Sequence, residues 1–143
     1  MGKTSRETNA VPSFTAEKLR SAGLRPTRQR MELAGHLFAG SDRHVTAESL
    51  HDEVVNSGIK VSLATVYNTL HQFTAAGLLR QVVVDAARGY FDTNTGDHQH
   101  FFLEDEGTLI DISGDAIQVA GVPSPPPGMT VDRVDVVVRV KRT

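Results

Sequence analysis

The 143-residue sequence contains no cysteine. This absence excludes disulfide bonds, zinc sites built from thiolates, and catalysis by a thiol. Any bound metal would therefore need histidine and carboxylate ligands. No run of about 18 apolar residues is present, so we expect no membrane-spanning helix. Residues 1–11 lack the apolar core of a signal peptide, so we expect a cytoplasmic protein.

The charge is unevenly distributed along the chain. Through Arg80 there are ten basic and seven acidic residues, whereas from Gln81 onward there are five basic and ten acidic residues. An excess of positive charge in the first half is typical of a domain that meets a polyanion. The length allows one ordinary domain or two small ones, and an apolar share of 39% fits a soluble globular protein.

Residues 62–73 predict a helix that is half buried and half displayed. Ser62 is a good N-cap, and the apolar side chains that recur at helical spacing are Leu63, Val66, Leu70 and Phe73. The opposite face carries short hydrogen-bonding side chains, which suit base edges and phosphates: Thr65, Asn68, Thr69 and Gln72, with Tyr67 at the margin. The alternative is an ordinary amphipathic helix of a bundle.

The rest of the first half predicts the order helix, turn, helix and wing. We expect helices over 14–22, after the cap Thr27, and from the cap Thr46 to Gly58. The β-rich segments 79–84 and 89–92 flank a hairpin tip at 85–88. Residues 1–13 are expected to be disordered, and 93–97, which has no apolar residue, to be a hinge.

The second half predicts a small sheet domain over 98–143. We expect strands at 100–104, 108–112 and 129–141, and at best a short helix over 115–122. This is too little core for a comfortable monomer, so we predict pairing with a second copy of the chain.

A candidate metal-binding group lies around two histidines. His98 and His100 are two residues apart, so on a strand both imidazoles face the same side. Asp92 and Asp111 stand at suitable strand ends, and His44 lies at the start of the third predicted helix. The alternatives are solvated acids, a metalloenzyme with His98, His100 and a carboxylate as ligands, or a winged helix that only binds proteins.

Several segments together resemble the ferric uptake regulator family. The match includes Ser62-Leu63-Ala64-Thr65-Val66-Tyr67, and continues in the family's order over about 14–112. The other segments are Gly23 to Arg30, His44 to Leu50, Leu70 to Phe73, Ala76 to Leu79, Tyr90 to Asp92 and His98 to Phe102. Within the family the chain is most similar to the iron response regulator branch.

The resemblance implies an α+β fold, with a winged helix-turn-helix DNA-binding domain over 14–92 and a dimerisation domain over 98–143. It implies a transcriptional repressor, not an enzyme, that controls iron homeostasis genes and binds palindromic double-stranded DNA operators as a homodimer. Implied DNA contacts are Arg25, Arg30, Thr65, Tyr67 and Asn68. Implied metal ligands are His44, Asp92, His98, His100 and Asp111. One divalent ion per chain is expected (Fe, Mn or Zn), with haem as an alternative ligand.

The chain departs from the family pattern at several places. The usual structural zinc is absent, because Leu103 and Glu106 stand where cysteines would be. A second metal site is lost at Asp97, Gln99 and Gln118, and Gln99 also interrupts the run of three histidines linked to haem in the iron response regulator branch. Asn68 stands where a relative has arginine, which weakens a phosphate contact or changes the base read.

Overall fold

The computed structural model describes residues 13–143. The disorder predicted for residues 1–13 therefore falls almost wholly on residues outside the described part. The chain divides into two compact units, the first ending at Thr95 and the second beginning at Gly96. That division falls within the segment predicted as a hinge, and the hinge itself stays a prediction. Over 13–143, no helix is both long and apolar enough to cross a membrane.

The described part of the first unit contains four helices, each of which begins within one residue of where the sequence predicts. They span 13–21 (α1), Arg28–Phe38 (α2), Ala47–Asn56 (α3) and Leu63–Ala75 (α4). The hydroxyls of Thr27, Thr46 and Ser62 each accept a hydrogen bond from a first-turn amide, at 3.3, 3.0 and 3.1 Å. These bonds satisfy amides that have no partner within the helix, so the three predicted caps are confirmed.

The core of the first unit is apolar and draws on all four helices. Val66, Leu70 and Phe73 of α4 are fully buried, as the periodicity predicts. Leu63 is instead 41% exposed, because it is the first residue of the helix and lies beyond the packed part of the stripe. Thr69, predicted to be displayed, is buried, and its hydroxyl donates to the Thr65 carbonyl at 2.8 Å.

A three-stranded antiparallel sheet completes the first unit. Its strands are His44–Val45 (β1), Arg80–Asp85 (β2) and Arg88–Asp92 (β3), in the order β1-β3-β2. The predicted wing hairpin is therefore confirmed, with Ala86 and Ala87 at its tip. The sequence missed β1, because two residues are too few to show a strand period. His44 thus lies on a strand before α3 and not at the start of that helix.

The second unit is built on another three-stranded sheet. Its strands are His98–Leu103 (β4), Thr108–Ser113 (β5) and Val137–Val140 (β6), in the order β5-β4-β6. β4 and β5 form an antiparallel hairpin, and β6 pairs parallel to β4. Gly107, with φ of 66°, supplies the left-handed residue that closes the hairpin turn.

The C-terminal part of the second unit has less regular structure than the sequence predicts. The segment 115–122 contains only the end of a single 3₁₀ turn, Gly114–Ala116, since Pro123 and residues 125–127 follow and cannot continue a helix. The strand predicted over 129–141 is limited to Val137–Val140. Alternating valines form a strand only where another strand lies beside them. β4 pairs with this part of the chain only from His100 to Leu103.

Candidate functional site

The displayed face of α4 carries two prominent side chains. Tyr67 is 50% exposed and Asn68 is exposed, whereas Thr65 is half-buried. The Thr65 hydroxyl accepts a hydrogen bond from Ser62 Oγ at 2.9 Å. Three of the predicted DNA-contact residues therefore share the first half of one helix, in a form that can reach a groove edge.

An aromatic stack supports the Tyr67 ring. The ring centroids of Tyr67 and His71 lie 4.4 Å apart, and His71 lies 5.3 Å from Phe91 on β3, both in edge-to-face geometry. Such contacts restrict the rotation of an exposed ring at little cost in solvation. The helix thus presents Tyr67 in a defined orientation.

Three further histidines of the first unit have partners. His71 packs in the aromatic stack, His51 Nε2 lies 3.0 Å from the Val61 carbonyl, and His36 Nδ1 lies 3.2 Å from Glu53 Oε2. The i,i+4 spacing of Tyr67 and His71 is a sequence signal for the first contact. The other two join positions 10 and 17 residues apart, which no local pattern reveals.

The two predicted phosphate-contact arginines lie close together at the start of α2. Arg25 is exposed in the loop before the helix, and Arg30 is half-buried one turn inside it. Arg30 Nη1 donates to the Arg25 carbonyl at 3.0 Å, which ties the loop to the helix. Arg30 also bonds Gln72 on α4, through Nε at 3.3 Å and Nη2 at 3.1 Å.

A bidentate ion pair joins α3 to the loop before β1. Arg43 Nη2 and Nη1 donate to the two oxygens of Glu53 at 2.9 and 3.2 Å. The hydrogen bonds from Arg43 hold the pKa of Glu53 below its ordinary value, although partial burial opposes that shift. The Arg43 amide also donates to Thr93 Oγ1 at 2.8 Å. The residue next to His44 is therefore firmly held.

The first unit contains one half of the predicted metal-binding group. His44 and Asp92 are directly opposite each other on β1 and β3, with His44 Nε2 3.2 Å from Asp92 Oδ2. Asp92 is completely buried, and its other oxygen accepts from the Asn94 amide at 2.9 Å. Arg80, also buried, is its register partner on β2. A buried carboxylate needs hydrogen-bond donors, a cation or a metal close by.

The second unit contains the other three predicted ligands, which converge at one point. His98 and His100 lie on one face of β4, and Asp111 is the register partner of His100 on β5. Asp111 Oδ1 lies 3.5 Å from the Nε2 atoms of both histidines. One donor atom from each of the three residues lies within 4.8 Å of the others. Two nitrogens and one oxygen at this separation form an arrangement that can hold a divalent ion.

The tautomer of His98 also favours metal binding. Its Nδ1 lies 2.7 Å from the Gly96 carbonyl, which can only accept, so Nδ1 carries the hydrogen. The lone pair of the neutral ring is then on Nε2, which faces the Asp111 carboxylate. Two lone-pair-bearing atoms face each other favourably only when a proton or a cation lies between them. A backbone carbonyl that fixes the ring in this way is typical of metal-ligating histidines.

Gln99, between the two histidines, has a structural role that the sequence did not reveal. It points to the opposite face of β4, where its Oε1 accepts from the Val136 amide at 2.7 Å. Its Nε2 donates to the Val134 carbonyl at 3.4 Å. The side chain thus anchors the segment before β6. Its carboxamide bonds backbone groups of that segment that a strand would otherwise bond.

The sequence profile of the Ferric uptake regulator family matches residues 21–122. The chain belongs to the ferric uptake regulator family. The ferric uptake regulation protein of Shigella flexneri is 34% identical over 101 residues, which cover 70% of this chain and 68% of that protein. The Pseudomonas aeruginosa protein of the same name is 36% identical over 95 residues, which cover 66% of this chain and 71% of that protein.

Solved structures of the family share the fold. The ferric uptake regulator of Pseudomonas aeruginosa, solved with manganese, superimposes with a TM-score of 0.67 at 27% identity, covering 90% of this chain and 97% of that chain. The Vibrio cholerae ferric uptake regulator gives a TM-score of 0.70 at 24% identity, covering 89% and 98%. The α+β prediction, with an N-terminal winged helix and a small sheet domain, is confirmed.

Family membership also decides the class of function. The chain is a metal-responsive transcription regulator with a DNA-binding winged helix, and it is not an enzyme. The alternative of a metalloenzyme that uses His98 and His100 is therefore discarded. The converging group on β4 and β5 has the nitrogen and oxygen donors that can hold a divalent ion.

Proposed function

We propose that this ferric uptake regulator homologue represses iron homeostasis genes as a homodimer, under the control of one divalent ion per chain. The observation that carries the proposal is the convergence of His98, His100 and Asp111 at one point. The Asp111 side chain is 40% exposed, whereas the two histidines are buried. Donors of nitrogen and oxygen suit Fe(II), Mn(II) and Zn(II), and metal availability decides among them more than affinity does.

The proposed ion also takes His44 and Asp92 as ligands. These two residues precede the predicted hinge, whereas the other three follow it, so one ion that binds both groups would fix the relation between the two units. Metal binding then selects a conformation of the dimer that matches the operator. The support for joining the two groups is the family resemblance and the paired geometry of each group within its own unit.

On the DNA side, we propose that α4 lies in the major groove. Thr65, Tyr67 and Asn68 read base edges, and Arg25 and Arg30 neutralise phosphates. A palindromic operator follows from a two-fold dimer. The exposed apolar side chains of the second unit support pairing through that unit: Phe101, Ile110, Val119, Val122, Met129, Val131 and Val134. Such a repressor would work in the cytoplasm, where the DNA is.

The narrower proposal places the chain in the iron response regulator branch, in which haem is an alternative ligand. We favour a metal ion over haem because the His98 and His100 rings are only 4.5 Å apart and share one carboxylate. That spacing suits two ligands on one small ion. Haem binding would instead require an open face beside one of the two buried rings.

The test is operator binding by the full chain in the apo form and loaded with Mn(II), Fe(II), Zn(II) or haem. The proposal predicts that at least one divalent ion, at about one per chain, changes DNA affinity and that haem does not. A ligand effect seen only with haem, with a Soret band that His98→Ala/His100→Ala removes, would overturn the metal assignment. Equal affinity in all five states would overturn ligand control.

A further inference from the structure

Arg30 differs from three other arginines of the first unit in what its guanidinium contacts. Arg28, Arg43 and Arg88 each form an ion pair with a carboxylate, at 2.9, 2.9 and 2.5 Å. Over residues 13–143, no carboxylate lies within ion-pair distance of Arg30. Its partners are two neutral oxygens, Gln72 Oε1 and the Arg25 carbonyl. The positive charge of Arg30 is therefore oriented without being neutralised.

The hydrogen bonds leave a defined part of the guanidinium available. The group has five N–H bonds. Gln72 Oε1 accepts one from Nε and one from Nη2, and the Arg25 carbonyl accepts one from Nη1. One N–H on each terminal nitrogen remains. These two nitrogens are the pair that meets two phosphate oxygens in a bidentate contact.

The space beside Arg30 has the lining that a nucleic-acid backbone needs. Arg30 and Gln72 border an open cleft of about 320 Å³ that is otherwise lined by Thr27, Gln29, Thr65, Asn68 and Thr69. All these side chains are polar and none is acidic. The cleft lies along α4, next to the displayed Asn68.

We propose that Gln72 is a positioning residue that holds Arg30 across α2 and α4 for one DNA phosphate at the edge of the recognition helix. The inference rests on the proposed DNA-binding function of α4. Gln72 itself need not touch DNA. Its carboxamide oxygen fixes the plane of the guanidinium, so that less side-chain freedom is lost when the phosphate binds. A neutral acceptor is required, because a carboxylate at the same place would cancel the charge that binds the phosphate.

A double-mutant cycle tests this role in the Mn(II)-loaded full chain, with a duplex selected from a random library by the protein and with its scrambled version. Arg30→Ala should weaken binding to both duplexes on the order of tenfold and lower the salt slope by about one. Gln72→Ala should weaken both by between about twofold and tenfold. Added to Arg30→Ala, it should have no further effect, because its target is gone.

Gln72→Glu separates orientation from charge. A glutamate can accept the same two hydrogen bonds, so Arg30 stays in place but is neutralised, and the affinity should fall to that of Arg30→Ala. In the Arg30→Ala background, Gln72→Glu should cost less than it does in the wild type. The matched control is Asn56→Asp, also an amide-to-carboxylate change, at an exposed residue of α3 that does not line the cleft; it should leave affinity unchanged. Urea midpoints of all variants report that the fold is intact.

Two results would overturn the positioning role while the proposed function stands. The first is that Gln72→Ala lowers DNA affinity by the same factor in the wild type and in Arg30→Ala. The second is that Gln72→Glu binds DNA as tightly as the wild type. If the wild-type protein bound no duplex in any metal-loaded state, the proposed function would be overturned. The positioning role of Gln72 would then fall with it.

Discussion

At the scale of single residues, the role that we propose for Tyr67 differs from that of the arginines. It is half exposed at the start of α4 and supported by the His71 ring, so we assign it to base readout. Tyr67→Ala should reduce discrimination between operator and scrambled duplex by about 1–3 kcal/mol. Arg25→Ala should weaken both duplexes alike and lower the salt slope by about one. Equal losses on both duplexes for Tyr67→Ala would remove it from base readout.

Also at the residue scale, the Arg43–Glu53 pair predicts a dependence of stability on pH. The pKa of Glu53 is lowered in the folded state, chiefly by the hydrogen bonds from Arg43. Its stabilising contribution is therefore fully present above the pH at which a free glutamate titrates, about 4.3, and is lost as the pH falls through the lower folded-state pKa. Urea unfolding of the wild type and Glu53→Gln should differ most at neutral pH and converge in acid. A difference that grows in acid would contradict this assignment.

At the scale of elements, the two ends of α4 should respond very differently to truncation. Leu70 is fully buried whereas Leu63 is 41% exposed, although both belong to one apolar stripe in the sequence. Leu70→Ala should lower the free energy of unfolding by about 2–5 kcal/mol, through lost burial and a cavity. Leu63→Ala, the matched control, should cost less than about 1 kcal/mol in the same denaturant titration. Comparable losses would mean that Leu63 is packed.

The elements also indicate what a sequence can reveal. Caps and helical periodicity are local, so Thr27, Thr46 and Ser62 could be placed without a structure. β1 could not, because His44–Val45 is defined only by its pairing with β3. The strand predicted over 129–141 failed for the related reason that alternating valines do not supply a neighbouring strand. The ligand residues were recognisable from motif order, whereas the Gly96 carbonyl that orients His98 and the Gln72–Arg30 contact depend on the fold.

At the scale of the whole molecule, we expect the second unit to hold two copies together. Ile110 on β5 is apolar and 49% exposed, so an aspartate there should disrupt an interface formed by that surface. Ile110→Asp should convert the dimer to a monomer in sedimentation velocity. Val55→Asp, at a similarly exposed apolar site of the first unit (44%), should leave the dimer intact. If the dimer survived Ile110→Asp and dissociated with Val55→Asp, the interface would lie in the first unit, contrary to this expectation.

In the proposed mechanism, one ion held by both ligand groups controls DNA binding. The test is the difference in operator affinity between metal-loaded and metal-free protein, measured for the wild type, His44→Ala and His98→Ala/His100→Ala. The wild type should show a coupling free energy of about 1–3 kcal/mol. His44→Ala should keep part of the metal affinity but lose the coupling, and the double variant should lose both. A double variant that still binds about one ion per chain and still responds to it on DNA would contradict the account.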